Sequence, residues 1–151
     1  MASAAGSTLL ALARRPHLQA RVARDRSALR SLMQEVLRAD NATHSTVRFL
    51  ARDAVIAGQS LRAGDRIIVM LAAANHDPAL NPDPGRFDID RTDRRSLEFG
   101  AGAHACPADK LAPLLAGIAV EHLLARGLAL DRLEPALSYA ASPHIRTPRF
   151  G

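Results

Sequence analysis

The segment Phe99–Cys106 reads F-G-A-G-A-H-A-C and carries the only cysteine of a 151-residue chain at the end of a glycine-punctuated loop. A thiol in such a place can attack a substrate, hold a metal or simply fill space. A nucleophile needs a base within reach; His104 is close in sequence, but no further orienting group accompanies it. A zinc site needs about four ligands, and one H-x-C pair supplies half of them. A small buried hydrophobe is the plainest role. The fourth is thiolate ligation of haem iron, for which Gly100 and Gly102 would let the backbone take positive φ and pass close to a flat, bulky group. The loop by itself leaves all four open.

The elements around the loop set its position. An apolar run follows Cys106 and predicts a helix to about Arg126, ended by Gly127, so the cysteine is expected where loop meets helix N-terminus, a place that favours negative charge. Pro113 falls inside that helix and is expected to leave the Asp109 carbonyl without its usual donor, kinking it. Upstream, residues 2–14 predict a helix, and Pro16 suits the first turn of a second one reaching Arg24. Ser27 is placed to cap a third, in which Leu29, Leu32, Met33, Val36 and Leu37 fall on one face. After Asn41 the pattern changes. Thr46–Leu50, Ala54–Ile56 and Arg66–Leu71 read as short strands, with turns at Ala57-Gly58 and Ala63-Gly64. Proline-rich 77–90 reads as ordered coil, and 128–151 as two or three short strands. The fold class is α+β, mainly α.

Composition narrows the function classes. Apolar residues make up 48% and charged residues 23%, as in ordinary globular chains. The net charge is +5, but the arginines are spread along the chain and aromatics are only 3%, too few for base stacking; nucleic acid is not an expected partner. No apolar run approaches the ~20 residues a bilayer crossing needs, so no membrane association is expected. One cysteine suits a reducing compartment, and the expected location is the cytoplasm. The first 24 residues lack acids, as a mitochondrial presequence would, but helical patterning continues past Asp25 without a cleavage-like break.

The ordered motifs resemble the cytochrome P450 family in its bacterial form. Phe99, Gly100, Gly102, His104 and Cys106 match the haem-loop signature F-G-x-G-x-H-x-C. Glu35-Val36-Leu37-Arg38 matches E-x-x-R on a helix. Ala74-Asn75-His76-Asp77-Pro78 is similar to A-N-R-D-P. Asn81–Phe87 is similar to the segment F-x-P-x-R-F, with Arg86 as its arginine. Arg48 matches a strand arginine, followed at family spacing by Asp53, Gly58 and Gly64. The resemblance runs from about Ser7 to the C-terminus and implies that 1–151 is a single partial domain, the C-terminal, haem-binding part of the fold.

By that resemblance the activity is monooxygenation of a small organic substrate and the cofactor is haem b. Cys106 is implied as the axial ligand of iron, Phe99 as a shield for the sulfur, and Arg48 and His104 as donors to the propionates. Glu35, Arg38 and Arg86 are implied to form a buried network that holds the coil segment. A ferredoxin or flavin reductase is the implied electron donor, received by a basic face carrying Arg91, Arg94, Arg95 and Lys110. Ala42–Thr46 and Ser142–Ile145 are the implied substrate contacts.

The chain also departs from the family. Family spacing puts the oxygen-activating motif upstream of Met1, so no catalytic residue is expected to be retained. Without it and the helices that cover the ring, these residues alone are expected to bind haem weakly or not at all and to hydroxylate nothing. Ala108 stands where the family usually has glycine, and Pro107 removes an N–H that could reach the sulfur. A non-catalytic remnant or interaction module that keeps the cysteine loop is the alternative from another class.

Overall fold

The computed structural model describes all residues from Met1 to Gly151. Three helices open the chain: α1 (Ala2–Ala13), α2 (Pro16–Arg24) and α3 (Ala28–Ala39). Pro16 starts α2, as its fixed φ and missing N–H suit a first helical position. Ser27 does not cap α3 with its side chain. Its hydroxyl and its N–H both donate to Asp25 Oδ1, at 2.7 and 2.9 Å, so an Asx turn, rather than a hydroxyl cap, leads the chain into the helix.

Four short strands follow, β1 (Ser45–Phe49), β2 (Ala54–Ile56), β3 (Gln59–Leu61) and β4 (Arg66–Met70). β1 pairs antiparallel with β4, with Thr46 opposite Val69 and Arg48 opposite Ile67. Between them, β2 and β3 form a hairpin whose turn residues Ala57 and Gly58 both have positive φ, the type I′ geometry that matches strand twist. β4 runs directly into α4 (Leu71–Asn75), so Leu71 belongs to the helix and not to the strand. Residues 77–90 contain neither helix nor strand.

A 3-10 turn spans Gly102–His104, and α5 covers Leu111–Ala125. The helix ends in a Schellman motif: Leu128 N–H donates to Leu123 O and Gly127 N–H to Leu124 O. A second 3-10 turn (Leu130–Arg132) leads to the hairpin of β5 (Leu137–Tyr139) and β6 (Pro148–Phe150).

The core lies where α1, α2, α3 and α5 meet. Leu12, Leu32, Met33, Val36 and Val120 are buried together there. All five residues of the expected α3 face are buried, and so are Glu35 and Arg38 beside them. α3 is therefore enclosed on its polar side as well. No helix is long and apolar enough to cross a membrane.

Candidate functional site

Leu97, Glu98 and Phe99 enter the cysteine loop along the floor of a cavity of about 640 Å³. Each of the three is anchored differently. Leu97 N–H donates to Asn75 Oδ1 at 2.7 Å. Glu98 accepts from Thr43. Phe99 packs on the helical core, and its carbonyl accepts from Cys106 N–H at 2.8 Å, closing the loop. Gly100 and Gly102 have φ of 73° and 74°, values that an L side chain adopts only with strain. A Cβ on Gly100 would meet nothing closer than 3.9 Å, and one on Gly102 nothing within 4 Å. Both glycines are thus required by backbone conformation, not by crowding.

Cys106, His104, Arg48, Phe99 and Gly100 line the same cavity; Gly102 does not. Cys106 is half-buried. It stands ahead of α5 rather than at its N-terminus, because the helix begins only at Leu111. Pro107 offers no N–H, residues 107–110 form turns, and regular i→i−4 bonding starts with Ala112 N–H to Ala108 O at 2.9 Å. Pro113 consequently sits in the first turn of α5, where, as expected, no backbone donor reaches the Asp109 carbonyl, the bonds on either side being Ala112 N–H to Ala108 O and Leu114 N–H to Lys110 O. Arg48 Nη1 donates to Thr46 Oγ1 at 2.7 Å and to Val47 O at 2.8 Å, and its other guanidinium N–H groups stay available.

The Ala42–Thr46 and Ser142–Ile145 segments, far apart in sequence, come together. Thr43 bridges Ile145, Arg146 N–H donates to Ala42 O, His44 N–H donates to His144 O, and Ser45 Oγ lies 2.7 Å from His144 Nδ1. Ala42, Thr43, Thr46 and Ile145 line the cavity beside the cysteine loop.

Behind the loop, Glu35 and Arg38 are fully buried, each with 0% of its side chain exposed, and 2.7 Å apart. Arg38 also donates to the carbonyls of Asn75, Pro84 and Arg86. Burial acts to raise the Glu35 pKa, but hydrogen bonds from Arg38, the Asp88 N–H and Arg94, with the Arg38 charge, outweigh it and hold the carboxyl below its ordinary value.

The side chain of Arg86 is not part of this network. It is 67% exposed and pairs with Asp88; only its backbone carbonyl reaches Arg38. The buried places are taken by Arg94, 11% exposed with Nε 2.9 Å from Glu35 Oε2, and by Arg91, 7% exposed with Nε 3.9 Å from Glu35 Oε1. Arg91 Nη1 and Nη2 donate to the carbonyls of Pro82, Asp83 and Arg86, so this arginine fastens the proline-rich coil. The same burial removes Arg91 and Arg94 from the expected basic face; of its four residues, Arg95 and Lys110 remain exposed.

Sequence reasoning also missed Glu98 and Asn81. Glu98 is the only acidic residue lining the cavity. Burial pushes its carboxyl above the ordinary value, against hydrogen bonds from Thr43 and Asn41 and the Met1 ammonium, which pull it down. Asn81 is fully buried and exchanges hydrogen bonds with Arg95 N and O. A polar amide in a proline-rich segment could have marked Asn81, but nothing local marks Glu98.

A family model described as Cytochrome P450 matches residues 1–126. The biotin biosynthesis cytochrome P450 of Bacillus subtilis (strain 168) is 33% identical over 145 residues, which cover 96% of this chain and 35% of that protein. The 6-deoxyerythronolide B hydroxylase of Saccharopolyspora erythraea is 39% identical over 116 residues, covering 77% of this chain and 29% of that protein. Among solved structures, cytochrome P450 CYP109Q5 from Chondromyces apiculatus superimposes with a TM-score of 0.83 at 32% identity, over 97% of this chain and 38% of that one. The chain thus spans about a third of the length of the curated relatives it matches. With the family model covering most of the chain and the helices and short strands superimposing on a solved member, this chain belongs to the cytochrome P450 family.

Proposed function

We propose that the chain is the haem-binding portion of a monooxygenase, in which Cys106 would hold the iron of haem b and a small organic molecule would be the substrate. One observation carries this reading: Cys106, Arg48 and His104, from a strand and a loop far apart in sequence, line one cavity with mainly apolar walls. The donor set fits the group. A thiol suits iron, two basic side chains suit the propionates, and the cavity falls within the about 300–1,000 Å³ usual for small-molecule sites. When bound, the haem would supply the iron chemistry that activates dioxygen, and the Cys106 thiolate would donate electron density to it.

The chain's own residues hold and orient. Arg48 and His104 would bond the propionates, Phe99 would cover the sulfur, Gly100 would let the backbone pass close to the ring, and Gly102, outside the cavity wall, would hold the loop's turn. Glu35 and Arg38, with Arg94 and Arg91, would brace the coil that precedes the loop. Ala42, Thr43, Thr46 and Ile145 are the proposed substrate contacts. The relative named as a hydroxylase supports oxygen insertion as the reaction class. A ferredoxin or flavin reductase is the proposed electron donor, with exposed Arg95 and Lys110 near its docking face.

Val69 and Ile145 on the cavity wall are exposed, and weak binding of the ring is the expectation for the 151-residue chain. Haemin titration of the 151-residue chain, followed by dithionite and carbon monoxide, tests both points. The expected result is the Soret shift of thiolate-ligated haem, with an affinity of about 1 μM or weaker, lost in Cys106→Ala. A spectrum unchanged by Cys106→Ala would overturn the ligand assignment. Stoichiometric binding at nanomolar haemin would overturn the weak affinity.

A further inference from the structure

Glu98 is a half-buried acid that the haem and substrate contacts proposed for this cavity leave without a role. Its Oε1 and Oε2 lie 3.4 and 3.2 Å from Thr43 N, and Thr43 Oγ1 donates to Oε1 at 3.2 Å. The contact crosses 55 residues of chain and joins two walls of one cavity, the entry to the cysteine loop and the turn between α3 and β1. The Thr43 side is firmly held. Thr43 bridges Ile145, its carbonyl accepts from Asn41 Nδ2 at 2.7 Å, and the neighbouring Ala42 carbonyl accepts from Arg146 N–H. The loop side is held at Leu97 by Asn75 and at Phe99 by the core, but not beyond them. Beyond Phe99 the backbone hydrogen bonds are internal to the loop, including Ala105 N–H to Gly102 O and Cys106 N–H to Phe99 O. On its C-terminal side Cys106 is tied to the turn before α5, its carbonyl accepting from Asp109 N–H; on its N-terminal side its position depends on how residues 97–99 are anchored, and Glu98 supplies one of those anchors.

We propose that Glu98 is a positioning residue that clasps the cysteine loop to Thr43 and so sets how Cys106 is presented to the cavity. The proposal deepens the reading of Cys106 as a ligand and acts through the loop; Glu98 itself touches no reacting group. It predicts that the clasp and the sulfur respond together. A residue that only added stability would shift global unfolding and leave the local exposure of Cys106 in the folded state unchanged.

Because Cys106 is the only cysteine, its rate of modification by iodoacetamide reports on the loop without haem. Hydrogen exchange at the Thr43 amide reports on the clasp, with core amides of α3 as the reference for global opening. In Glu98→Ala both rates should rise by about tenfold, the loss expected for a charge-assisted hydrogen bond in a locally opening segment. Glu98→Gln keeps an acceptor and should give a smaller rise in both; Thr43→Val, which loses only the hydroxyl donor, should also fall between parent and Glu98→Ala. Faster Thr43 exchange with Cys106 modification within about twofold of the parent in the Glu98 variants would overturn the proposal, because the clasp would then not govern the sulfur. Unchanged Thr43 exchange would overturn it too, since there would be no clasp. If Glu98→Ala does not fold, Glu98→Gln and Thr43→Val decide the matter by the same two rates. No haem is added in these measurements, so a failed haemin titration and a failed clasp are separate results.

Discussion

Arg94 Nε donates to Glu35 Oε2 at 2.9 Å across 59 residues of chain. The same carboxylate accepts from Arg38 Nη2 at 2.7 Å and from Asp88 N–H at 3.0 Å. One buried anion thus gathers an arginine of its own helix, an arginine from the segment before the cysteine loop, and the backbone of the coil between them. Arg94 also donates to the carbonyls of Asp88 and Ile89, so it fixes the coil even where it does not touch Glu35.

Arg94→Ala removes a charge-assisted contact from a site closed to water. It should cost about 2 kcal/mol, in the range for hydrogen bonds to charged groups. Arg86→Ala removes an exposed side chain whose one ion pair is at the surface, and should change stability by less than about 0.5 kcal/mol. Urea denaturation of both variants measures the contrast. Equal losses would refute the assignment of Arg94 rather than Arg86 to the buried network.

Glu35, fully buried, and Glu98, half-buried, oppose one another in pH dependence. The Glu35 pKa is depressed in the folded state because its hydrogen bonds and the Arg38 charge outweigh burial. Its stabilisation is therefore complete above the ordinary value of 4.5 and is lost as pH falls through the depressed one. The Glu98 pKa is raised, chiefly by burial, so its ionised form is the disfavoured one. Above its raised pKa it subtracts stability, and that loss disappears as pH falls below 4.5. Urea midpoints between about pH 3 and 7 should fall at the acid end. Above 4.5 the parent should lose stability with rising pH more steeply than Glu98→Gln, in which the group no longer titrates.

Asn75 is fully buried and works in several directions. Its Oδ1 accepts from Leu97 N–H at 2.7 Å, and its carbonyl accepts from Arg38 Nη1 and Asn81 Nδ2. Asn75→Ala leaves the backbone contacts in place but takes the acceptor from the half-buried Leu97 N–H, at a cost of about 1 kcal/mol. Thermal or urea unfolding gives the loss, and hydrogen exchange should show it concentrated at Leu97. Protection of Leu97 equal to the parent's would refute the anchor.

Much of the frame was legible from local chemistry. Pro16 opens α2 because ring closure presets its φ, the apolar spacing of α3 names the face that is buried, and Gly127 ends α5 where positive φ is needed. The cysteine loop was legible for the same reason, since its glycines and thiol are residue types with few substitutes. Local signals failed where a side chain's partner is remote. Ser27 carries a capping side chain, yet the nearer Asp25 carboxylate takes its hydroxyl. Pro113 reads as a break in a helix, but the start of α5 at Leu111 makes it a first-turn proline.

The sequence by itself determined the three opening helices, the long helix α5, the glycine-bearing loop that ends in Cys106 and the side of α3 that Glu35 and Arg38 share, because spacing of three along one helix puts two side chains on one side wherever that helix goes. Only the tertiary structure decided which arginine completes that pair and which acid lies beside the cysteine loop. Arg86, Arg91 and Arg94 are chemically alike and close in sequence. Which of them is buried depends on how the proline-rich coil folds back over α3, and that path is set by contacts across tens of residues. Glu98 is separated from Thr43 by 55 residues, and no periodicity or motif encodes a distance of that kind. Chain topology brings them together, and burial then turns an ordinary glutamate into a raised-pKa anchor for the loop that holds the thiol.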